Sequence, residues 1–564
     1  MQYQIPQTQN AVQLIGPDQL TLNTSKKVVP PGPYQILCRV EAVGLCFSDL
    51  KLLKQFSAHA RKTRIISGIE KGILDEIPSY VPDDKPTVPG HEAVVRVWAV
   101  GEKVTGFRPG QRYLVQTDYR WLPTANSNGS FGYNFEGALQ EYVLMDQRVI
   151  TSPQGESMLI PASEKLSAAA IALVEPWACV EDAYAVRERQ TLKAGGQMLI
   201  VTDGPVKPAV LQRLFKQFGK PAGITWVSDA EVPAGLSVPV QRAERVGELK
   251  DAAFDDILYF GSDPAVVESL FAKLAARGLM NIVLCGGRLG RGVVTYVGRV
   301  HYGGIRIIGT TGSDPAESMK TIPATGEIRR GDKINVIGAG GPMGVMHVVR
   351  NVCQGVPEVT VYAGDLDDRR LALLDKITRP LADKNKVGYH SYNPTNPTNP
   401  TNPAKNAPAG EMDYIVLMAP VPKLVVEAVK SAGKGGIINI FAGIAATVTC
   451  EIDLQRYIEK QLYFIGTSGS ILEDMKTVLR KVESGSLDTN ISVAAVSGLD
   501  GAVEGIRAVE KQLIPGKIIV YPACRGLGLT LLEELQTKKV SAAKGMKEGV
   551  WSLAAEGALL EEWT

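Results

Sequence analysis

The spacing of hydrophobic and polar residues divides the chain into two parts. In roughly the first 150 residues, short apolar runs such as 34–43, 93–100 and 112–116 are interrupted by Pro and Gly. This pattern favours a small β-barrel over a helical domain. After about residue 192, short apolar runs alternate with helical stretches, which predicts βαβ units and parallel sheets.

The α/β part contains an internal repeat. The pentapeptide GTTGS at 309–313 returns as GTSGS at 466–470. Two further short matches, 281–282 with 439–440 and 319–321 with 475–477, lie in the same order along the two copies, one before and one after the pentapeptide. Colinear matches of this kind predict two copies of one α/β unit. The second copy is longer, and its extra residues include an Asn-Pro-Thr run at 393–403, which we expect to be a surface excursion.

One glycine-rich turn in the second copy has the form of a dinucleotide-binding loop. An apolar run at 334–337 is followed by Gly338, Ala339, Gly340, Gly341, Pro342, Met343 and Gly344, and then by a helical pattern. Such a turn lets the backbone approach a pyrophosphate and directs helix N-terminal amides at it. Asp365 follows the next apolar run, at the spacing expected of an acid that binds a ribose diol. Simple packing of a strand against a helix is the competing explanation.

Two further features bear on the nucleotide. Arg369 and Arg370 follow Asp365 closely, so binding of NADP stays open beside binding of NAD(H). In the first copy, the turn at 202–208 has one glycine and two prolines, and proline lacks the amide donor that a pyrophosphate needs. We therefore predict that the first copy is structural and binds no dinucleotide.

The N-terminal part contains residues suited to a metal. Cys46 lies in the segment Gly-Leu-Cys-Phe-Ser-Asp at 44–49, His91 and Glu92 follow Gly90, and Glu175 precedes a proline. Thiolate, imidazole and carboxylate form a plausible zinc set that leaves a position for water or a substrate oxygen. Each residue alone is a weak signal, because single cysteines and histidines are more often part of a core.

Taken together, these motifs resemble the zinc-containing medium-chain dehydrogenase/reductase family. The Glu-Pro pair at 175–176 is similar to the sorbitol (polyol) dehydrogenase branch, and the sequence GAGGPMG is similar to sugar-phosphate or ketose-phosphate reductases of that branch. The resemblance covers about residues 10–190 and 324–522. It implies an α/β protein in which a GroES-like β-barrel catalytic domain is joined to doubly wound Rossmann-like domains, here two in tandem.

The expected domains follow from the repeat and the resemblance. Residues 1–190 form the GroES-like zinc catalytic domain, and 191–323 a degenerate Rossmann-like domain without a dinucleotide fingerprint. Residues 324–523 form the NAD-binding Rossmann domain, whose last part returns to the catalytic domain. Residues 524–564 form a helical C-terminal extension, with helical patterns at 529–547 and 550–563 that are either docked or dangling.

The resemblance also implies roles for single residues. Cys46, His91 and Glu175 would hold a catalytic Zn²⁺, and Glu92 would be a fourth or exchangeable ligand or an anchor beside the ligands. Ser48 would bind the substrate hydroxyl, and Asp49 would orient His91. Zinc would stabilise an alkoxide while hydride passes to the nicotinamide. The cofactor-binding residues would be Gly338, Gly340, Gly341, Pro342, Met343, Gly344, Asp365 and Arg370.

The chain departs from the family pattern near the metal set. Phe47 replaces a small residue, and Lys51 stands where a relay histidine is common. The stretch between Cys46 and His91 is long and basic, with Lys51, Lys54, His59, Arg61, Lys62 and Arg64. A solvated basic face is one explanation. The other is an anionic substrate, such as a sugar phosphate or acid, which these charges would attract.

Composition narrows the class of partner and the location. The formal net charge of +2 gives no electrostatic reason to bind nucleic acid or an anionic membrane. No secretory signal is visible, and the apolar runs are shorter than the roughly 20 residues that span a bilayer. The 7 scattered cysteines favour thiols in a reducing compartment. We expect a cytoplasmic homo-oligomer, a dimer or tetramer, that acts on a small molecule.

Three functions follow from the sequence, in order of preference. The first is a zinc-dependent NAD(H) oxidoreductase acting on a polyol, a ketose or a sugar-derived secondary alcohol, including anionic or phosphorylated ones. The second is an enzyme with tightly held NAD that catalyses a redox-neutral epimerisation or elimination through transient oxidation. The third is a non-catalytic protein that kept the fold, and the complete set of Cys46, His91 and Glu175 argues against it.

Overall fold

The computed structural model describes residues 4–396, 407–467, 469–538 and 540–564. The chain forms two compact units. Unit 1 consists of Met1–Ala178 and Ser470–Thr564, and unit 2 of Cys179–Gly469. None of the described helices combines the length and the apolar character needed to cross a membrane.

The first stretch of unit 1 is rich in short strands, as its Pro- and Gly-interrupted pattern predicts. Its elements are β1 (Thr8–Gly16), β2 (Gln19–Lys27), β3 (Gln35–Gly44), α1 (Phe47–Gln55), α2 (Lys71–Asp75), β4 (Glu92–Val100), β5 (Arg112–Val115), β6 (Asp118–Pro123), β7 (Asn128–Ser130), β8 (Tyr142–Asp146), α3 (Gln147–Ile150), β9 (Leu159–Pro161), α4 (Ala168–Ala172) and α5 (Val174–Ala185). The boundary between the units falls inside α5.

Unit 2 alternates strands and helices. Its first half contains β10 (Gln197–Thr202), α6 (Pro208–Phe218), β11 (Gly223–Val227), β12 (Val240–Ala243), β13 (Phe254–Phe260), α7 (Pro264–Lys273), β14 (Leu274–Val283), β15 (Val293–Thr295), α8 (Gly298–Tyr302), β16 (Arg306–Thr310) and α9 (Pro315–Met319). Its second half contains β17 (Lys333–Ile337), α10 (Pro342–Cys353), β18 (Thr360–Gly364), α11 (Asp368–Asn385), β19 (Gly388–Tyr392), β20 (Met412–Leu417), α12 (Pro422–Ser431), β21 (Ala432–Ile440), β22 (Cys450–Ile452), α13 (Leu454–Glu459) and β23 (Tyr463–Ile465).

The chain then returns to unit 1 with α14 (Leu472–Glu483), β24 (Val493–Ser497), α15 (Ala502–Glu510), β25 (Lys517–Val520), β26 (Thr530–Leu531) and α16 (Leu553–Trp563). The main sheet of unit 1 has the order β26-β24-β25-β3-β4-β5-β9, and β8 also pairs with β3. The late strand β25 thus lies directly beside β3, which leads to Cys46. Its core is a cluster of buried aliphatic and aromatic side chains from these strands and from α1 and α15.

The two halves of unit 2 have the same sheet topology. The first sheet has the order β12-β11-β10-β13-β14-β16 and the second β19-β18-β17-β20-β21-β23. All neighbours in both sheets are parallel. Numbered within each half, both orders read third, second, first, fourth, fifth and sixth strand, which is the doubly wound order of dinucleotide-binding folds.

Equivalent elements of the two halves pack on each other. Strands β15 and β22, each following the fifth strand of its sheet, pair antiparallel. Helix α8 of the first half contacts β23 of the second, and α13 of the second contacts β16 of the first. Such reciprocal contacts between equivalent surfaces are the pattern of a two-fold interface. Here both partners belong to one chain, and they share one hydrophobic core.

The C-terminal tail differs from its predicted helices. The pattern at 529–547 is not a helix in the described residues, because it contains β26 and the short 3₁₀ turns Leu532–Glu534 and Ser541–Gly545. Pairing of β26 with β24 outweighs the local helical pattern. Helix α16 does form, and it is docked, with Trp551 just before it almost fully buried. Of the predicted Asn-Pro-Thr excursion, residues 397–403 lie outside the described residues.

Candidate functional site

The turn from β3 into α1 fixes the thiol of Cys46. Cys46 precedes the helix in an extended conformation, with φ −123° and ψ 150°. Its backbone N–H donates to Oδ2 of Asp49 at 3.0 Å. A carboxylate three residues into a helix is a common way to satisfy the N–H groups at its start. The thiol therefore projects from a rigid helix start.

Asp49 also contacts the histidine of the predicted set. Its Oδ1 lies 3.1 Å from Nδ1 of His91, and both side chains are buried. Because Nδ1 is occupied in this way, Nε2 is the ring nitrogen available to a metal. A carboxylate that orients a histidine is the usual companion of a metal-bound imidazole. The structure thus brings Asp49 against His91, as the resemblance implies.

Three of the predicted ligands converge in unit 1. Donor atoms of Cys46, His91 and Glu92 all lie within 4.8 Å of one another. Glu92 is fully buried, and its Oε2 has no hydrogen-bond partner within the described part of the chain. A Cβ placed on Gly44 would lie only 2.2 Å from that oxygen, so the glycine makes room for the carboxylate.

This donor set fits a Zn²⁺ ion. A buried carboxylate oxygen without a hydrogen bond is costly, and a bound cation beside it would remove that cost. A thiol and an imidazole within the same few ångströms are the ligands that zinc prefers. The unpartnered oxygen of Glu92 therefore makes Glu92 a stronger candidate ligand than its place beside His91 in the sequence suggests.

Glu175 lies near this set but outside the 4.8 Å group. It stands in the first turn of α5 and is 8% exposed. Burial raises the pKa of its carboxyl to about 7, and while His91 opposes this rise, Glu92 reinforces it. The charges of both residues thus reach Glu175, which makes it an electrostatic neighbour of the converging donors.

Ser48 and its neighbours line the start of α1. Ser48 is half-buried two residues after Cys46, whereas Phe47 is 56% exposed. Lys51 is exposed one helical turn after Phe47. Ser48 thus lies in the first turn of α1 and is partly exposed.

Part of the basic stretch reaches the candidate metal centre through Tyr133. The buried ring of Tyr133 stacks on His59, with 5.1 Å between centroids, and lies 5.7 Å from the ring of His91. The guanidinium of Arg61 sits 5.4 Å from the centre of the same ring and pairs with Asp118 at 3.0 Å. Sequence reasoning missed Tyr133, because nothing near it in the chain marks it as a site residue.

Other basic residues of that stretch have structural roles. Lys62 is fully buried and donates to the backbone carbonyls of Val81 and Lys85. Lys54 pairs with Asp18 and Glu510, and Arg64 pairs with Asp83. The stretch is therefore not a uniform solvated face, since one of its lysines is internal.

The glycine-rich loop of unit 2 has the expected local structure. Gly338 begins the turn after β17 with φ +86°, a value that glycine adopts without strain. A Cβ on Gly344 would lie 2.3 Å from the carbonyl oxygen of Gly338, so the loop and helix pack closely here. Gly341 caps α10, and Pro342 and Met343 open that helix.

Asp365 and Arg370 lie beside this loop. Oδ2 of Asp365 accepts the backbone N–H of Gly340 at 2.8 Å. A Cβ on Gly340 would lie 2.6 Å from Cβ of Arg370 and 3.0 Å from Oδ2 of Asp365. The structure thus brings together the loop, the acid and the arginine of the predicted cofactor set.

The corresponding position in the first half is filled by protein. Oδ2 of Asp203 accepts a hydrogen bond from the hydroxyl of Tyr259 at 2.8 Å. The same oxygen would lie 2.0 Å from a Cβ placed on Gly261. Asp203 thus occupies the end of β10 with a negative charge, where a phosphate would have to approach.

Comparison with known proteins identifies part of the chain. Residues 32–154 match the family "Alcohol dehydrogenase GroES-like domain". The uncharacterized protein YggP of Escherichia coli (strain K12) is 26% identical over 248 residues, which are 42% of this chain and 58% of that protein. An alcohol dehydrogenase of Rhizobium meliloti (strain 1021) is 27% identical over 283 residues, which are 45% of this chain and 71% of that protein.

A solved structure shares the fold. The 2R,3R-butanediol dehydrogenase from Bacillus subtilis aligns with a TM-score of 0.51 at 15% identity, over 91% of this chain and 100% of that chain. The family match and the relatives support the medium-chain dehydrogenase/reductase family. The predicted fold class, a GroES-like domain joined to doubly wound Rossmann-like domains, is confirmed.

Proposed function

We propose that the chain is a zinc-dependent oxidoreductase that transfers a hydride between NAD(H) and a polyol, a ketose or a sugar-derived secondary alcohol. The observation that carries the proposal is the convergence of Cys46, His91 and Glu92, with one carboxylate oxygen left without a hydrogen bond. The Glu-Pro pair at Glu175 supports the sorbitol (polyol) dehydrogenase branch. A relative with alcohol dehydrogenase as its name supports the reaction class.

In this proposal, Cys46, His91 and Glu92 hold Zn²⁺, and Glu175 stands beside them as a further ligand. Bound zinc supplies a Lewis acid that lowers the pKa of an alcohol hydroxyl. Asp49 holds Nδ1 of His91 and so fixes the ring. Ser48, half-buried in the first turn of α1, accepts a hydrogen bond from the substrate hydroxyl and starts a proton relay, in which it receives that proton as it passes its own on toward solvent.

The nucleotide belongs in the glycine-rich loop of unit 2. Gly338, Gly340, Gly341 and Gly344 keep this backbone free of side chains, so a pyrophosphate approaches the N-terminus of α10. Asp365 accepts the hydroxyls of the adenosine ribose, and its charge repels a 2′-phosphate, which favours NAD over NADP. Arg370 beside it is the residue that would serve NADP instead.

We further propose that the substrate carries an anionic group. Arg61 and His59 both contact the ring of Tyr133, which itself lies beside His91. Burial lowers the pKa of His59 to about 4, and the positive charges of Arg61 and Lys51 act in the same direction. Arg61, although it is paired with Asp118, and Lys51 are thus the cations around His59 that would attract a phosphate or carboxylate of the substrate.

The decisive experiment measures metal, cofactor and product on the same preparation. We expect about one zinc per chain, and net NADH formation when NAD⁺ is added with a polyol or polyol phosphate. Cys46→Ser removes turnover but keeps NADH binding, whereas Gly340→Asp removes NADH binding but keeps the zinc. Full turnover by a zinc-free preparation contradicts the proposal.

Two controls sharpen this experiment. Lys51→Met tests the charge of the substrate, because it raises KM for the phosphorylated member of a substrate pair and leaves the neutral member unchanged. Conversion of substrate without net NADH formation favours the redox-neutral epimerisation or elimination instead. The cytoplasmic location and the homo-oligomeric state stay predictions from the sequence.

A further inference from the structure

The C-terminal tail places a buried carboxylate at the start of α4. Glu556, in α16, is 3% exposed. Its Oε1 accepts the backbone N–H of Ala168 at 2.5 Å, and its Oε2 accepts that of Ala169 at 3.0 Å. Oε2 also accepts the hydroxyl of Tyr521 at 2.8 Å. A residue of the last helix thus serves as the N-terminal anchor of a helix nearly four hundred residues earlier.

A tail that only covered an apolar surface would not need a buried carboxylate with several hydrogen-bond donors. Burial raises the pKa of the Glu556 carboxyl, so the ionised group depends on its three hydrogen-bond donors. The hydroxyl of Tyr521 in turn accepts the indole N–H of Trp551 at 2.8 Å. An apolar side chain at position 556 would cover the same surface without this cost.

The anchored helix leads directly to Glu175. Helix α4 ends at Ala172, Leu173 follows, and α5 begins at Val174, so Glu175 is the second residue of α5. From Ala169 to Glu175 the chain is continuous and almost entirely helical, which spans about 9 Å at 1.5 Å per residue. A displacement of the start of α4 should therefore displace Glu175 as well, because the helical backbone between them is short and stiff.

Neutral hydrogen bonds hold the same segment from its other side. Ser167 caps α4 at Ala170 and donates to Asn490 at 2.7 Å. The carbonyl of Ala170 accepts the hydroxyl of Thr489 at 2.7 Å, and the indole of Trp177 donates to Ser492 at 3.1 Å. Glu556 is the charged member of this set, and it binds the first N–H groups of the helix.

We propose that Glu556 is a positioning residue for Glu175, through which the C-terminal extension sets the geometry of the candidate zinc centre. The inference rests on the proposed function, because it takes Glu175 as a zinc ligand. In this role the C-terminal tail orients a metal ligand, which docking of the tail on unit 1 does not by itself require. Tyr521 supports Glu556 in this role.

The test compares variants in the full-length protein. Glu556→Gln keeps the size of the side chain but removes its charge, and Tyr521→Phe removes one donor. Glu561→Gln, at an exposed position of the same helix, is the matched control. Zinc affinity is measured by competition with a chromophoric chelator. The visible spectrum of the Co²⁺-substituted protein reports the ligand geometry.

We expect Glu556→Gln to weaken zinc binding by up to about tenfold, the lower end of the cost of losing a direct hydrogen-bond partner of a metal ligand, because Glu556 acts on Glu175 only through the backbone of α4. Its Co²⁺ spectrum should shift toward that of Glu175→Gln, Tyr521→Phe should shift it less, and Glu561→Gln should match the wild type. If Glu556→Gln does not fold, the same comparison is made with Tyr521→Phe.

Two other outcomes are distinguishable. Variants at 556 and 521 that lower the Tm but keep wild-type zinc affinity and Co²⁺ spectrum overturn the positioning role, and the tail is then a structural brace. A wild-type protein that binds no zinc, or binds it equally well as Glu175→Gln, overturns the proposed ligand set itself.

Discussion

Lys517 and Glu92 form a buried ion pair that reaches across a glycine of the strand between them. Nζ of Lys517 donates to Oε1 of Glu92, with side-chain exposures of 7% and 0%, and also to the carbonyl of Leu45. Lys517 begins β25 and Glu92 begins β4, with β3 lying between them in the sheet. The two side chains meet at Gly44 of β3. A side chain at Gly44 would collide with the carboxylate of Glu92. The pair holds Oε1 of Glu92, whereas its Oε2 has no hydrogen-bond partner in the part of the chain that the structure describes.

Removing the lysine of this pair should destabilise unit 1. In Lys517→Met the charge of Glu92 stays buried without its partner, which typically costs about 3–5 kcal/mol of unfolding free energy. Guanidinium chloride unfolding of zinc-free protein measures the loss. The double variant with Glu92→Gln should recover much of it, because no unpaired charge remains. Equal stability of the single and double variants would show that the charge is not the cause.

Asp365 should set the choice of nucleotide. With Oδ2 bonded to the N–H of Gly340, its carboxylate is held beside the loop, where a 2′-phosphate meets negative charge. Asp365→Ser should reduce the preference for NAD over NADP by about tenfold, equivalent to 1.4 kcal/mol. The ratio of kcat/KM for the two nucleotides measures this. Asp383→Asn, at an exposed position of α11, should leave the ratio unchanged.

One dinucleotide should bind per chain, in the second half of unit 2. Calorimetric titration with NADH should give one site, and Gly340→Asp should abolish it, because its side chain would meet Arg370 and Asp365. Gly204→Asp in the first half is the matched control. Within the described part of the chain, a Cβ at Gly204 would have no neighbour within 4 Å, so the variant should fold and bind normally. Two equivalent sites in the wild type would contradict the assignment.

The features that sequence reasoning found are local in the chain. The loop at Gly340 and the acid at Asp365 belong to one strand–helix–strand segment, so spacing alone predicts that they meet. The cap formed by Asp49 on Cys46 spans three residues. For such features, local backbone geometry determines the contact, so the spacing of the residues in the sequence predicts it.

The features that it missed depend on distant parts of the chain. Lys517 reaches Glu92, and Tyr133 reaches His91, only after the sheet of unit 1 has assembled. The pattern at 529–547 favours a helix, but β26 pairs with β24 instead. Periodicity reports which face of an element is apolar, but not which strand supplies its neighbour.

Lys62 should make stability depend on pH in the alkaline range. Burial lowers the pKa of its ammonium to about 8, against 10.5 for an exposed lysine. Between these values the unfolded chain binds more protons than the folded one, so stability rises with pH. The gain is at most about 1.4 kcal/mol per pH unit.

Unfolding free energies of wild type and Lys62→Gln at pH 8, 9 and 10 isolate this contribution. The difference between the two proteins should grow with pH in favour of the wild type. Lys54→Gln is the control, because ion pairing with Asp18 raises the pKa of Lys54 above 10.5, so its contribution should stay constant between pH 8 and 10 and weaken only above that range. A constant difference for Lys62→Gln would show that this ammonium titrates normally in the folded protein.

The first glycine of each repeated pentapeptide should be required for the stability of the contact between the two halves of unit 2. Gly309 and Gly466 occupy the same place in the two copies. A Cβ on Gly309 would lie 2.7 Å from Ile458 of α13, and one on Gly466 would lie 2.9 Å from the backbone of His301 in α8. Each glycine thus lets the helix of the other half approach. Because overpacking of a tight contact typically costs about 1–3 kcal/mol, Gly466→Val should lower the Tm by several degrees.

The same pentapeptide provides the control for this prediction. A Cβ on Gly469 would have no neighbour within 4 Å among the residues that the structure describes, so Gly469→Val should change the Tm little. Differential scanning calorimetry of both variants at equal protein concentration gives the comparison. Gly309→Val should resemble Gly466→Val, because the contacts of the two halves are reciprocal. Equal melting of Gly466→Val and Gly469→Val would mean that close approach of the helices does not explain why both copies keep a glycine at this place.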